Sequence, residues 1–291
     1  MARRMVHLYG WMLVFPAVVL LAAFTHVPAV ATLWASLFTT ARPNRPSRFA
    51  GLDAYRAMLD DPVFWQSLAN NAVFAAATIP ASVILALVMA LLVNGRLRGR
   101  AAVRVAFFTP TVLPMIAVAN IWLFFYTPSY GLLDQIAGLF GLPATNWLGS
   151  RETALGAVIA VAVWKEAGFF MIFYLAALQQ IPQSLREAAA LEGCGRWTFF
   201  RRVTLPLIMP TTLFVLINAI INAFRMIDHI IVMTRGGPDN TTSLLLFYIY
   251  EVGFKFWDTA YAAALTVVLL VILALVALGQ FVILDRRTHY R

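Results

Sequence analysis

Charge and cysteine are what this 291-residue chain has least of: only 12% of it is Asp, Glu, Lys or Arg, against 62% apolar residues, and its mean hydropathy is +0.80. A soluble surface needs roughly 25–35% charged residues, so a freestanding soluble domain is excluded and a membrane protein is expected. The single cysteine, Cys194, excludes a disulfide scaffold and a cysteine-built metal centre. Lysine is scarce as well. Lys165 and Lys255 are the only two, so arginine carries the formal net charge of +9. These arginines sit between long apolar runs and not on one soluble face, which argues against a nucleic-acid binder.

The motifs of catalysis are missing too. No glycine-rich loop ends in Gly-Lys-Ser/Thr, so any nucleotide must be bound by another chain. There is no His-Glu-x-x-His, and His7, His26, His229 and His289 are too scattered to form a metal site. A Gly-x-Ser-x-Gly elbow is absent. The chain is therefore expected to hold no catalytic residue, metal or cofactor of its own.

What it does hold is apolar length. A bilayer core about 30 Å thick is crossed by roughly 20 apolar residues in helix, and six segments qualify: Trp11 to Phe38, Ala72 to Val93, Val103 to Tyr126, Ala154 to Leu178, Leu205 to Met233 and Tyr261 to Leu284. None alternates with period two, so a β-barrel is a poor reading. Prolines inside spans (Pro16, Pro28, Pro80, Pro110, Pro114, Pro210) predict kinks, and the first span is long enough to break near Pro28. The expected fold is an all-α membrane bundle of six helices, one domain over 1–291 with its core at 67–284.

Orientation follows from arginine placement, because cytoplasmic loops retain basic residues. One side carries Arg3, Arg4, Arg96, Arg98, Arg100, Arg104, Arg186, Arg196, Arg201, Arg202, Arg286, Arg287 and Arg291, with only Glu187, Glu192 and Asp285 as acids. The other carries Arg42, Arg45, Arg48, Arg56, Arg151, Arg235 and Lys255, matched by Asp53, Asp60, Asp61, Asp134, Glu152, Asp239, Glu251 and Asp258. Both termini are thus expected in the cytoplasm. A cleaved leader ending near Ala29-Val30-Ala31 is the rival. It would cut an apolar run that continues through Leu33 to Phe38 and reverse the charge bias.

The polar stretch from Gln179 to Thr204 falls on the basic side. Ile181-Pro182-Gln183-Ser184 reads as a helix start, with Ser184 as cap and Glu187 completing a capping box. Arg186 to Glu192 has strong helix propensity. Gly193 and Gly195 are expected to end it in a left-handed turn, before a second short helix from Trp197 to Val203. Alanines on such a helix leave room for a close protein partner.

These residues carry a resemblance. Glu187-Ala188-Ala189, then Glu192-Gly193, then Leu205-Pro206 resemble the cytoplasmic loop signature of permease subunits of binding-protein-dependent ABC importers; that family usually has Asp where Glu192 stands and Ala where Cys194 stands. Gly51-Leu52-Asp53-Ala54-Tyr55, Asp61-Pro62-Val63-Phe64-Trp65, Trp164-Lys165-Glu166 and Thr234-Arg235-Gly236-Gly237-Pro238 are similar to the carbohydrate branch, with its maltose-type and glycerol-3-phosphate-type permeases. The resemblance implies that Glu187, Ala188, Ala189, Glu192 and Gly193 form a coupling helix for an ATPase. It also implies a second homologous permease, two ATPase subunits that bind ATP and Mg, an extracytoplasmic solute-binding protein, and a bacterial inner-membrane location.

Polar residues inside spans are the remaining candidates. Asn218, Asn222, Arg225 and His229 fall within about 60° of one another on a continuous helix, and Asp228 stands one turn from Arg225. Such a stripe is costly in lipid, so it faces either a solute pathway or a neighbouring helix. Trp164, Lys165 and Glu166 pose a similar choice, between a pathway role in which Trp164 stacks on a sugar ring and plain anchoring at a membrane interface; Lys165 and Glu166 diverge by about 100°, so they are expected to pair with neighbouring spans and not with each other. Gly236-Gly237-Pro238-Asp239-Asn240 is a strong turn signal, compatible with a docking surface, a re-entrant loop or a simple tight turn. Phe247 to Trp257 is expected to lie at the membrane surface. The alternative from another class is an ion-coupled transporter relaying charge through Asp228, Glu166 and Arg225.

Overall fold

The computed structural model describes residues 2–43, 45–95, 98–141 and 143–285, with side chains from Gly10 to Gln280. Of the basic residues used for orientation, Arg96, Arg286, Arg287 and Arg291 and the side chains of Arg3 and Arg4 lie outside the described residues.

Helix α1 (Ala2–Leu21) passes through a π-helical turn (Ala22–His26) into α2 (Val27–Ala35). Helices α3 (Asp53–Leu59) and α4 (Pro62–Asn94) follow, then α5 (Arg100–Val112), α6 (Met115–Phe125), α7 (Leu132–Leu139) and α8 (Ala154–Gln179). Next come α9 (Gln183–Leu191), α10 (Arg196–Phe199), α11 (Leu205–Leu207), α12 (Met209–Arg225) and α13 (Asp228–Met233). The chain closes with α14 (Leu245–Tyr250) and α15 (Thr259–Asp285). Among the described residues there is no β-strand, only the isolated bridges Phe38 to Phe49 and Arg42 to Arg45.

Among the described residues, five stretches are long and apolar enough to cross a membrane: Gly10–Ala35, Pro62–Asn94, Ala154–Gln179, Met209–Met233 and Thr259–Gln280. The expected span from Val103 to Tyr126 is not one straight helix. It is α5 and α6, bent by 104° at a short break. The cause is local: Pro114 disfavours helical geometry in the residue before it, and Leu113 is extended (φ −74°, ψ 137°). The expected span from Leu205 to Met233 is also interrupted. Met226 is extended (φ −76°, ψ 108°), so α12 ends at Arg225 and α13 starts anew.

The described chain forms two compact units, Met1–Asp61 with Ile249–Ile272, and Pro62–Tyr248 with Leu273–Arg291. In the first, Thr40 Oγ1 donates to Asp258 Oδ1 and Tyr261 Oη to Asp61 Oδ2 at 2.6 Å, which ties the segment after α2 to the head of α15. In the second, α4 and α8 are the closest pair. Ala86, Ala90 and Val93 pack with Ala167, Phe170, Met171, Tyr174 and Leu178, and with Ile208, Val215 and Ala219. Lipid is as apolar as this core, so burial alone supplies little drive. Small side chains that let backbones approach supply van der Waals contact instead.

The segment between α6 and α8 is organised by one buried carboxylate. Asp134, 7% exposed, accepts the Ser129 N–H (2.8 Å) at Oδ2, and the Trp147 Nε1–H (2.8 Å) and Thr145 N–H (3.3 Å) at Oδ1. The Ser129 N–H, with Trp147 and Thr145 behind it, holds this carboxyl below its ordinary value of 3.8 even though burial pushes the other way. A depressed carboxyl stabilises the folded loop fully above the ordinary value and loses that contribution as pH falls through the folded one. Trp147 fluorescence should therefore hold steady from neutral pH down to about 4 and change only below it. In Asp134→Asn the emission should already be shifted at neutral pH, with no acid transition; a wild-type transition at pH 6 would contradict this assignment.

Candidate functional site

Three polar regions of the second unit contain the residues singled out in the sequence. The first is α9. Its N-cap is Pro182, not Ser184, and no side chain caps it. Glu187 instead accepts a hydrogen bond from Gln183 Nε2 (2.8 Å), one turn earlier, so the expected capping box is replaced by an i,i+4 pair. At the other end Gly193 takes φ +67°, the Cys194 N–H reaches the Ala189 carbonyl (2.8 Å) and the Gly193 N–H the Ala190 carbonyl (3.1 Å). That is a Schellman closure. Gly195 has no part in it: at φ −66°, ψ 155° it is extended and opens α10. The second helix is longer than expected, running from Arg196 through a π-helical turn (Phe200–Thr204) into α11.

Helix α9 has almost nothing packed on it. Ala188, Ala190, Glu187, Glu192 and Gly193 are exposed and Ala189 half-buried. Leu191 is 90% exposed, and beyond the turn so is 71% of Trp197, which stacks on Phe200. Beside α9 lies an open hollow of about 660 Å³, lined by Asn94, Gln179, Gln183, Arg186 and Glu187.

The second region lies between α8, the α5–α6 elbow and α12. Lys165 Nζ donates to the carbonyls of Pro110 (3.0 Å) and Leu113 (2.6 Å). These are carbonyls that the break at Leu113 deprives of helical N–H partners, so Lys165 satisfies backbone that lipid would not. Three residues on, Gly168 lets α8 touch α5: a Cβ there would lie 2.3 Å from the Phe107 carbonyl oxygen and 3.1 Å from Thr111 Oγ1. Trp164 meets Trp122 edge-on at 5.6 Å.

Glu166 points elsewhere and accepts from Asn222 Nδ2 of α12 (2.8 Å). With Thr78 and Ser82 of α4, these two line a cavity of only about 10 Å³, room for about one water and no solute. Asn218 donates to the Phe214 carbonyl one turn back (2.8 Å). The stripe ends there. The helix breaks after Arg225, and His229, on α13, is fully buried beside Phe74. Arg225 and Asp228 are both exposed, and no ion pair joins them among the described residues. The pairing expected across one turn fails because that turn does not exist.

The third region is the loop through Gly236, Gly237 and Pro238. It contains a cis Gly237–Pro238 bond and positive φ at Arg235, Gly236, Asp239 and Asn240. Thr242 Oγ1 donates to the Gly237 carbonyl (2.8 Å) and shares a hydrogen bond with Thr234 Oγ1 (2.7 Å). Sequence reading missed what anchors it. Gln66 donates to the Asp239 carbonyl (2.9 Å), Asn70 to those of Asn240 (2.7 Å) and Ser243 (3.0 Å), and Asn71 accepts the Leu245 N–H (3.3 Å). The signal was present: Gln66, Ser67, Asn70 and Asn71 form one polar face at the head of an otherwise apolar helix. Arg151 adds an ion pair to Asp239, its Nε 2.6 Å from Oδ2.

Residues 65–290 match the family described as binding-protein-dependent transport system inner membrane component. The chain belongs to that family. Among its relatives is the trehalose/maltose transport system permease protein MalF of Thermococcus litoralis, 36% identical over 249 residues that cover 84% of each chain. The sn-glycerol-3-phosphate transport system permease protein UgpA of Yersinia pestis is 31% identical over 282 residues, covering 97% of this chain and 95% of the relative. The fold is that of a solved bacterial ABC transporter involved in import of the acidic polysaccharide alginate, with a TM-score of 0.86 at 24% identity over 99% of this chain and 98% of the other. Family members are transport subunits and not enzymes, which displaces the ion-coupled alternative. The chain is a multi-pass membrane permease.

Proposed function

We propose that this permease forms half of the translocation pathway of an ATP-driven importer in the bacterial cytoplasmic membrane, carrying a sugar, polyol or related solute such as glycerol 3-phosphate. The observation that carries the reading is α9, a helix with a closed C-terminal turn whose Ala188, Ala190 and Leu191 are left uncovered. Such a surface suits a cleft on a partner, and Glu187, Ala188, Ala189, Glu192 and Gly193 would dock there against one of two ATPase subunits that bind ATP and Mg. The solute class is supported by the relatives named for trehalose/maltose and glycerol 3-phosphate transport.

A second homologous permease completes the pathway, because the cavity at Glu166 and Asn222 is too small for a solute. Trp164, Lys165, Glu166, Asn218, Asn222, Arg225 and Asp228 are its candidates on this chain, with Gly236, Gly237 and Pro238 on the side of an extracytoplasmic binding protein. In this arrangement the α5–α6 pair counts as one span, the chain as one transmembrane domain, and both termini are cytoplasmic. Closure of the ATPases would shift the permease between inward-open and outward-open states, since two sites that bias one equilibrium are coupled.

Proteoliposomes holding the assembled complex test this. Uptake of a labelled sugar should require both ATP and the binding protein; uptake driven by an ion gradient without ATP would overturn the reading. Asn222→Ala should lower uptake severalfold with little loss of assembled complex, because Glu166 keeps a wetted partner in a pathway. If Asn222 is only interhelical glue, losing its bond to Glu166 should instead lower the permease's own thermal stability by roughly 0.6–2 kcal/mol. Reporter fusions after Arg100 and Arg202 should report cytoplasm, and those after Arg48, Asp134 and Asn240 the outside.

A further inference from the structure

In the first unit, an open pocket of about 1020 Å³ lies beyond the end of α2, at the large end for small-molecule sites. Arg42, Arg45 and Arg48 line it together with Asp53, Asp61 and Asp258. The carboxylates are already engaged. Asp53 faces Arg56 at 3.4 Å, Asp61 accepts the Tyr261 hydroxyl, and Asp258 accepts from Thr40 and from the Tyr261 N–H. The three guanidinium groups meet no carboxylate among the described residues. Arg42 and Arg45 exchange N–H···O bonds at 2.8 and 2.9 Å, and the Thr39 N–H reaches the Arg48 carbonyl at 2.8 Å. The pocket thus presents three forked donors without an ion-pair partner among the described residues, beside three carboxylates of which Asp53 faces a cation.

Its depth is marked by aromatic rings. The Gly10–Ala35 span is uncovered over its whole length. At its end Trp34 and Phe38 lie 5.3 Å apart and Phe38 and Phe49 5.6 Å apart, with Trp34 and Phe49 mostly exposed. Aromatic residues at the end of an apolar helix mark the headgroup layer, and the pocket begins at Phe38. Three arginines within seven residues are also unexpected in an outer loop, where the charge bias disfavours them. We propose that this pocket holds the phosphodiester head of an anionic phospholipid. Guanidinium forks bind such oxygens through paired N–H···O bonds. The proposal rests on the orientation argued above for its choice of leaflet and for the unexpectedness of arginines there.

The test uses the full complex in nanodiscs of mixed phosphatidylglycerol and phosphatidylcholine, with retained lipid measured by native mass spectrometry. Wild type should retain phosphatidylglycerol selectively. Each Arg→Gln change should weaken retention about fivefold, and R42Q/R45Q/R48Q on the order of 100-fold, from the usual contribution of one basic residue near a membrane surface. The triple Arg→Lys variant, which keeps the charge, should recover most of the selectivity, separating a binding defect from misfolding. Equal retention of the two lipids by wild type, or undiminished selectivity in the triple Gln variant, would overturn the proposal. So would inorganic phosphate binding these arginines equally well in pure phosphatidylcholine, since the site would then serve a soluble anion.

Discussion

Gly168→Val should be among the most damaging single changes in this permease, lowering its stability by about 3 kcal/mol, the upper part of the range for forcing bulk into a packed core. The Cβ alone would sit 2.3 Å from the Phe107 carbonyl oxygen. That oxygen belongs to helix backbone and not to a side chain that can swing aside. Helices α5 and α8 must separate, and Lys165, on the same stretch of α8, would be drawn away from the Pro110 and Leu113 carbonyls. Thermal denaturation in nanodiscs checks the loss; a Gly168→Val protein that melts like wild type would mean the helices are not in close contact there.

Lys165→Met probes the same elbow with a different expected result. Two carbonyls left without donors cost about 1–3 kcal/mol each, while removing a charge from a span returns about 3 kcal/mol on insertion scales. The carbonyl cost, about 2–6 kcal/mol for the pair, meets or exceeds that return of about 3 kcal/mol, so melting should fall modestly or not at all. The geometry should not survive. Spin labels at Val105 and Phe124, both exposed, should report a narrow distance distribution across the 104° bend in wild type and a broad one in Lys165→Met. Identical distributions would show that the elbow holds without the lysine.

This elbow also explains what the sequence could and could not reveal. Apolar length reports that Ala154 to Leu178 spans a membrane, and α8 matches that reading to within a residue, because a straight helix is what a long apolar run becomes in lipid. Length says nothing of direction. The run from Val103 to Tyr126 is equally apolar, and the carbonyls released by its turn at Leu113 are satisfied by Lys165, more than 50 residues away in sequence. Pro114 gave a hint of a kink but no angle. The break at Met226 had no such hint, having neither proline nor glycine beside it, and it removed His229 and Asp228 from a stripe that helical arithmetic had joined. The end of α9 was legible for the opposite reason. A left-handed closing residue is a local need that glycine meets without steric cost, so Gly193 announced it, whereas the cap at the other end was misread because Pro182 already fixes a backbone that starts a helix unaided.

The exposed apolar surface of α9 leads to the second large effect. Leu191→Asp should abolish docking of the ATPase and reduce uptake at least tenfold while leaving insertion, melting temperature and assembly with the second permease unchanged. Leu191 is 90% exposed, so a polar replacement disturbs nothing inside this chain, yet burying that side chain at a partner surface contributes about 1.5–3 kcal/mol, and an aspartate in its place would be a charge buried without a partner. Gly193→Val attacks the same interface from within. At φ +67° a branched side chain costs about 1–2 kcal/mol or more, enough to reopen the turn in which Cys194 and Gly193 close on Ala189 and Ala190 and to misdirect Ala188 and Ala189. Here the ATPase should still bind, and hydrolysis should continue without matching uptake. Glu187→Lys should behave likewise, because it reverses charge on the docking face and removes the acceptor for Gln183, whereas Glu192→Asp should be nearly silent. Hydrolysis and uptake measured on the same reconstituted complexes separate lost docking from lost coupling. Normal uptake by both Leu191→Asp and Gly193→Val would remove α9 from the path between ATP and transport.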